Sequence, residues 1–200
     1  IIYNYSMLKI NLQEILSSKQ PKVGTTLFIA VDGRGGSGKS TLARHLADKL
    51  GASLVQTDDF ASWENMFDWW PLVIEHVFKP IQNGAKTLNY PRSIWWENQH
   101  PEPVVDQPVT DIMILEGVSS SRKEFRDYIS LNIFVDTPKE ICLQRGVERD
   151  SITGKPKKKL EQMWNGWFDE EDKYIQRDQP KEHADIVIDG TKPFEEQILR

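Results

Sequence analysis

Apolar residues fall along this chain in two alternating kinds of block. One kind is a short, continuous apolar run closed off by glycine or polar residues: Thr26-Leu27-Phe28-Ile29-Ala30-Val31, Ala52 to Gln56, Ile112 to Leu115, Leu131 to Val135 and Ala184 to Ile188. Such runs predict strands buried on both faces. The other kind repeats with the helical period. From Ser40 to Leu50, residues Leu42, Ala43, Leu46, Ala47 and Leu50 share one helix face, and Gly51 stands where a terminating glycine belongs. Further helices are predicted over Asn11 to Ser18 (ending before Pro21), Leu72 to Ile81 (with Pro71 in the first turn), Pro138 to Glu148, Leu160 to Ile175, and Pro193 to Leu199. Strands alternating with helices predict an α/β layer fold with a five-stranded, mainly parallel sheet flanked by helices. Gly84 to Pro108 holds Pro91, Pro101, Pro103 and Pro108 and is predicted to be mostly loop. A loop that long in a compact domain is usually functional.

Composition narrows the class of protein. A chain of 200 residues with 28% charged and 38% hydrophobic residues is one globular domain's worth. It has no run of 18 apolar residues, so a membrane span is not expected. The 25 basic and 30 acidic residues give a net charge of −5, which argues against a nucleic-acid partner held by bulk charge. Cys142 is the single cysteine, which excludes an intrachain disulfide framework and a cysteine zinc cluster. Ile1 to Leu16 lacks a basic segment followed by an apolar block, so it does not read as a secretory signal, and a cytoplasmic setting is the expectation. A homo-oligomer is left open. Of the seven tryptophans, five lie between Trp63 and Trp96.

The chemistry begins after the first strand. Gly33-Arg34-Gly35-Gly36-Ser37-Gly38-Lys39-Ser40 fits G-x-x-x-x-G-K-[ST], between a buried strand and an amphipathic helix, and Thr41 follows it. Glycines there let the backbone wrap a phosphate, and the amides at the helix start point at the anion. Lys39 is expected to reach the β- and γ-phosphates of ATP, and Ser40 to ligate Mg²⁺. The motif alone does not separate kinase, ATPase, GTPase and binding module. The guanine-reading N-K-x-D is missing, which weakens a GTPase reading. The strand from Ile112 ends in Glu116-Gly117 rather than in the Asp or Asp-Glu of a motor ATPase.

Ligands of open α/β sheets collect at the carboxyl ends of the strands. Asp58 and Asp59 fall there after the second strand, and Glu116 after the third. Transfer of a phosphoryl group to a hydroxyl needs a carboxylate to accept a proton and acids around the metal. Asp58 is the candidate base and Glu116 the candidate metal-side acid, while one of Asp58 and Asp59 is expected to cap the next turn. Arg145 and Arg149 lie one helical turn apart, able to neutralise charge on a transferring phosphoryl group. The polar stretch Asp150 to Pro156 that follows reads as a mobile lid.

Val31-Asp32-Gly33-Arg34-Gly35-Gly36-Ser37-Gly38-Lys39-Ser40-Thr41, Thr57-Asp58-Asp59-Phe60, Ile114-Leu115-Glu116-Gly117-Val118 and Arg145-Gly146-Val147-Glu148-Arg149-Asp150 occur in that order. This resembles the uridine kinase family of P-loop kinases, over about Leu27 to Gly190. The resemblance implies a nucleoside-monophosphate-kinase-like fold and one kinase domain over 1–200. Within it, residues 1–22 would be an N-terminal extension, about 60–108 an acceptor-binding insertion and about 149–158 the lid. It implies Asp58 as base for a nucleoside 5′-hydroxyl, with Glu116 beside Mg²⁺. Asp68, in Phe67-Asp68-Trp69-Trp70-Pro71, matches the ribose-binding segment, and the loop from Asp189 to Pro193 would border adenine.

Asn89-Tyr90-Pro91-Arg92 stands where family members contact the base, which makes Tyr90 and Arg92 candidate substrate residues. The chain departs from the family there. No Asp follows Tyr90, and the later His and Arg that read a pyrimidine have no clear match. The expected partner is a nucleoside-like hydroxyl acceptor. A kinase of another small alcohol such as pantothenate, and a nucleotide-binding or slow ATPase module that regulates a partner, remain alternatives. Trp63, Trp69, Trp70, Trp95 and Trp96 either stack on a base or pack the core. Glu171 and Tyr174, three residues apart on the acidic helix, are read as structural, and Lys157 to Lys159 as a solvated helix start.

Overall fold

The computed structural model describes residues 9–62, 65–93 and 103–198. Its centre is β1 (Leu27–Gly33), in which all seven positions are buried. The remaining sheet strands are β2 (Ser53–Gln56), β5 (Ile112–Glu116), β6 (Leu131–Asp136) and β7 (Ile186–Asp189). They lie parallel in the order β2-β5-β1-β6-β7, as the apolar runs predict. Alternate residues of β1 feed two cores. Leu27, Ile29 and Val31 pack with Leu42, Ala43 and Leu46 of α2 (Lys39–Leu50). Phe28 and Ala30 face the opposite layer, with Phe78, Trp69 and Phe125. Burial on both faces is why these strands read as unbroken apolar runs.

Before the sheet, α1 (Leu12–Ser17) starts at Asn11, whose side chain accepts the Glu14 N–H. At the other end α7 (Phe194–Gln197) is shorter than the pattern predicts, and Ile198 then bridges to Ile10.

The helix predicted over 72–81 starts earlier, as α3 (Trp70–Val73), passes through a π turn at Ile74–Phe78, and ends as α4 (Lys79–Gln82). Pro80 accounts for the interruption. It has no N–H to donate to His76 and its ring would crowd that carbonyl, and widening the turn upstream relieves both.

The segment from Gly84 to Pro108 corrects the loop expectation. β3 (Thr87–Pro91) pairs antiparallel with β4 (Val104–Pro108). Pro91 and Pro108 sit at the C-terminal ends of these two edge strands, where a missing donor is tolerated. Pro101, Trp95 and Trp96 lie outside the described residues, as does Trp63.

On the far side of β6, α5 (Lys139–Asp150) and α6 (Lys157–Asp178) pack against each other through Cys142, Val147, Leu160, Trp164 and Phe168. The joining segment is exposed, with Ile152 at 90%. At Gly146 a side chain is excluded, because a Cβ there would lie 2.4 Å from the Trp164 ring.

Candidate active site

β1 delivers the glycine loop to the carboxyl edge of the sheet, between the ends of β5 and β6. Gly38, at φ +100°, is the N-cap of α2, so the loop amides converge at the helix start. The loop's closeness to α5 rests on Gly36. At φ +79° it carries no side chain, and a Cβ would stand 2.4 Å from the Cys142 carbonyl oxygen. Behind the loop lies Asp32, 1% exposed. It accepts from the Gly33 N–H at 2.6 Å, Ser119 N–H at 3.1 Å, Ser121 N–H at 2.9 Å, and the Ser121 and Tyr174 hydroxyls at 2.6 Å each. Burial pushes its carboxyl pKa up, and these donors pull against that rise. Asp32 thus ties the loop to the segment after β5 and to α6.

The register of β1 on β5 sets Val31 opposite Glu116, and that pairing brings the acid to the loop. Glu116 is buried, accepts the Ser40 hydroxyl at 2.8 Å and the Gln56 side-chain amide at 3.3 Å, and lies 3.9 Å from Lys39 Nζ. Ser40, Lys39 and Glu116 are therefore one cluster.

The two neighbouring aspartates part company. Asp59 is buried, 3.2 Å from the Tyr90 hydroxyl that donates to it and 2.8 Å from Arg92 Nε. Asp58 instead opens onto a cleft shared with Lys39, Ser40 and Thr41. The cleft walls displace water from its carboxylate and raise its pKa, Lys39 opposes that shift, and Glu116 reinforces it.

Arg145 and Arg149 both line the same cleft but are held differently. Arg145 Nη1 donates to the Gly190 carbonyl at 3.0 Å and the Ser37 carbonyl at 3.4 Å, joining the loop after β7 to the phosphate loop. Arg149 is exposed, donates to Asp150 at 2.8 Å, and lies 5.3 Å from the Trp164 ring centre. Arg34 turns out of the loop toward α6, where it pairs with Asp172 and stands 3.7 Å from Glu171 Oε2.

The acceptor candidates do not gather with this cluster. Tyr90 is 1% exposed, its ring stacked on Phe60 and its hydroxyl on Asp59. Arg92 is spent on Asp59. Asp68 is at the surface, with Arg177 the cation whose charge it favours. The cleft that Asp58 opens onto is also lined by Ala61, Met66, Phe67, Trp69 and Val118. Trp69 is buried in the core with Arg122 over its ring, so of the five clustered tryptophans it serves packing and cleft wall together. Trp70 packs against that core from the side.

Three cleft residues come from a part of the sequence read as structural: Trp164, Trp167 and Glu171 on α6. The signal that finds Glu171 is the stripe Trp164, Phe168, Glu171, Tyr174, all buried on one helix face. The same face buries Leu160 and a second acid, Asp178, and a buried acid among aromatic neighbours needs a partner. That partner is the Gly35 N–H, 3.0 Å from Glu171 Oε1. Burial pushes the Glu171 carboxyl up to about 7.

The profile of the phosphoribulokinase/uridine kinase family matches residues 67–193, more than half of the chain. The chain belongs to that family. The match begins after the phosphate loop, so the loop motif and the family match are separate lines of support. Among curated relatives, a uridine kinase of Pasteurella multocida is 27% identical over 195 residues, covering 81% of this chain and 85% of that one. A uridine kinase of Lactobacillus johnsonii is 28% identical over 196 residues, covering 86% and 88%. A Bacillus stearothermophilus structure titled "a Possible Uridine Kinase" aligns over 88% of this chain and 94% of its own with a TM-score of 0.63. At 22% identity it shows the fold alone. This phosphoribulokinase/uridine kinase family member is thus a P-loop kinase with a five-stranded parallel sheet. Among the described residues no helix is long and apolar enough to cross a membrane.

Proposed function

We propose that the protein transfers the γ-phosphoryl group of Mg·ATP to the 5′-hydroxyl of a pyrimidine nucleoside. The observation that carries the reading is Asp58, an acid open to the cleft, set beside the Lys39–Ser40–Glu116 cluster. The residues present fit a nucleotide with its metal. The loop has no side chain at Gly36, and its neighbour Ser37 keeps a buried hydroxyl without a partner. A hydroxyl and an acid stand together at Ser40 and Glu116. Mg²⁺ would be held through Ser40 and Glu116, and when bound it neutralises the β- and γ-oxygens.

The chain's own residues supply the rest. The loop from Gly33 through Arg34, Gly35, Gly36, Ser37 and Gly38 to Thr41 surrounds the phosphates, and Lys39 sets a point charge there. Asp58 accepts the proton of the attacking hydroxyl. Its raised pKa makes it a better base than an ordinary aspartate and shifts its working range upward. Arg145 is fixed against the loop backbone, and Arg149, at the start of the exposed segment to Lys158, comes in when that segment closes as a lid. Residues about 60–108 form the acceptor side and residues 1–22 an N-terminal extension of the single domain.

A second reading has its own observation. Tyr90 and Arg92 are committed to Asp59, and Ala61, Met66, Phe67, Trp69 and Val118 give the cleft an apolar share of its wall. That lining favours a different small alcohol, such as pantothenate, as acceptor. An acceptor panel of uridine, cytidine and pantothenate, with ATP and Mg²⁺, decides by ADP release over the acceptor-free rate. Stimulation by uridine or cytidine is expected. Stimulation by pantothenate alone favours the second reading, and none by any hydroxyl compound favours a nucleotide-binding module.

A further inference from the structure

One amide of the phosphate cradle already has an anion on it. The Gly35 N–H donates to Glu171 Oε1 at 3.0 Å, and Glu171 lines the cleft with Gly35 and Lys39 while being only 4% exposed. Its second oxygen, Oε2, is buried without a hydrogen-bond partner, and Arg34 Nη1, 3.7 Å away, is equally unpartnered. A buried carboxylate with an unused oxygen costs stability.

We propose that Glu171 stands in for a nucleotide phosphate in the nucleotide-free protein, and that phosphate entry neutralises it by uptake of one proton from solvent. The proton goes to the free Oε2, and the resulting O–H donates to a phosphate oxygen. No other bond is made or broken. The inference rests on the nucleotide-binding reading above.

Withdrawal into water is the alternative, and the packing opposes it. Glu171 sits in the buried stripe of α6 with Trp164, Phe168 and Tyr174. Trp164 is itself wedged between Gly35 and Gly146, where an added Cβ would lie 2.8 Å and 2.4 Å from its ring. The carboxylate reaches water only if the helix moves. The charged and titratable groups around it include Arg34 from the loop, Lys39 from α2, Asp32 from β1 and the Cys142 thiol from α5. On α6 itself, Asp172 takes up Arg34 and Lys139, and Tyr174 is turned to Asp32. Burial, helped by Asp32, carries the carboxyl pKa up to about 7, while the Gly35 N–H, Lys39 and Arg34 hold it down. A phosphate brought alongside adds like charge and favours the neutral form further.

Calorimetric titration of the full chain with Mg·ADP at pH 8, in two buffers of different ionisation enthalpy, tests this. The phosphates of ADP are fully ionised at that pH, so proton uptake reports the protein. The wild type is expected to take up on the order of one proton per ADP bound. Glu171→Gln, whose amide oxygen still accepts from Gly35, is expected to take up almost none. Above about pH 7 the affinity of the wild type should fall relative to the variant by a factor approaching tenfold per pH unit. Binding without uptake, net proton release, or equal uptake in both proteins would overturn the proposal while leaving the nucleotide reading intact. If the variant does not fold, proton uptake by the wild type decides alone. Absence of ADP binding overturns the nucleotide reading and this inference with it.

Discussion

The Ser40 hydroxyl donates to Glu116 Oε1 at 2.8 Å, joining the end of the phosphate loop to the last residue of β5. The pair exists because β1 and β5 are parallel with Val31 opposite Glu116. Glu116→Gln keeps the shape and removes the charge. If the pair serves Mg²⁺, the variant should need roughly 10–100-fold more Mg²⁺ for half-maximal rate. A Mg²⁺ titration of the initial rate checks this, and an unchanged requirement would remove Glu116 from the metal site.

Asp58→Asn should lower turnover by roughly 10²–10⁴-fold. ADP affinity should change little, since the proposed role of Asp58 is toward the acceptor hydroxyl rather than the nucleotide. The wild-type rate should fall on the acid side at a pH above the ordinary aspartate range, because burial and Glu116 raise this carboxyl. Steady-state rates against pH, with calorimetric ADP affinity for the variant, test both parts.

The two arginines should separate in their effects. Arg145 is bonded to the Ser37 and Gly190 carbonyls, so Arg145→Lys should weaken nucleotide binding. Arg149 is exposed and, among the described residues, its carboxylate partner is its neighbour Asp150. Arg149→Lys should lower kcat and leave nucleotide affinity within about twofold. Equal losses of affinity in both would show that they act as one clamp in the ground state.

Gly146→Ala places a methyl 2.4 Å from the Trp164 ring, in a helix contact with no room to open. The cost should be about 1–3 kcal/mol of stability, read from the urea midpoint at unchanged slope. The same substitution at Gly166, which has nothing within reach of an added Cβ, should be neutral to stabilising.

Glu171 also carries a stability signature. Its folded-state pKa is raised to about 7 from an ordinary 4.5, so the folded protein binds the extra proton between those values. The contribution is present in full below about pH 4.5 and is lost as pH rises to about 7. Relative to Glu171→Gln, the wild type should lose stability across that window and run parallel above it. Urea unfolding of both proteins from pH 5 to 8.5 measures the difference. The difference cancels Asp32 and Asp58, whose raised pKa values act in the same direction.

The sheet was readable from sequence because β1, β5 and β6 are largely buried on both faces, leaving mostly apolar side chains with a few polar ones at the strand ends. The phosphate loop was readable because its glycines and Lys39-Ser40 are constrained locally. β3 was not, since it buries only Leu88 and Tyr90 and ends in a proline. The division of labour between Asp58 and Asp59 depends on Tyr90 and Arg92, more than thirty residues on, and no local pattern encodes it. Glu171 is the extreme case, because its partner Gly35 is 136 positions away. Only the misplaced acid in an aromatic stripe hints at that contact.

The topology also has a kinetic consequence. β1 carries the phosphate loop and pairs with β5 and β6 alone. During synthesis it leaves the ribosome long before either neighbour exists, and the strand that follows it, β2, pairs with β5 as well. No part of the sheet can zip until the chain through Glu116 has emerged. This fully buried strand therefore waits unpaired until β5 has been made, the stage at which aggregation or chaperone capture competes with folding.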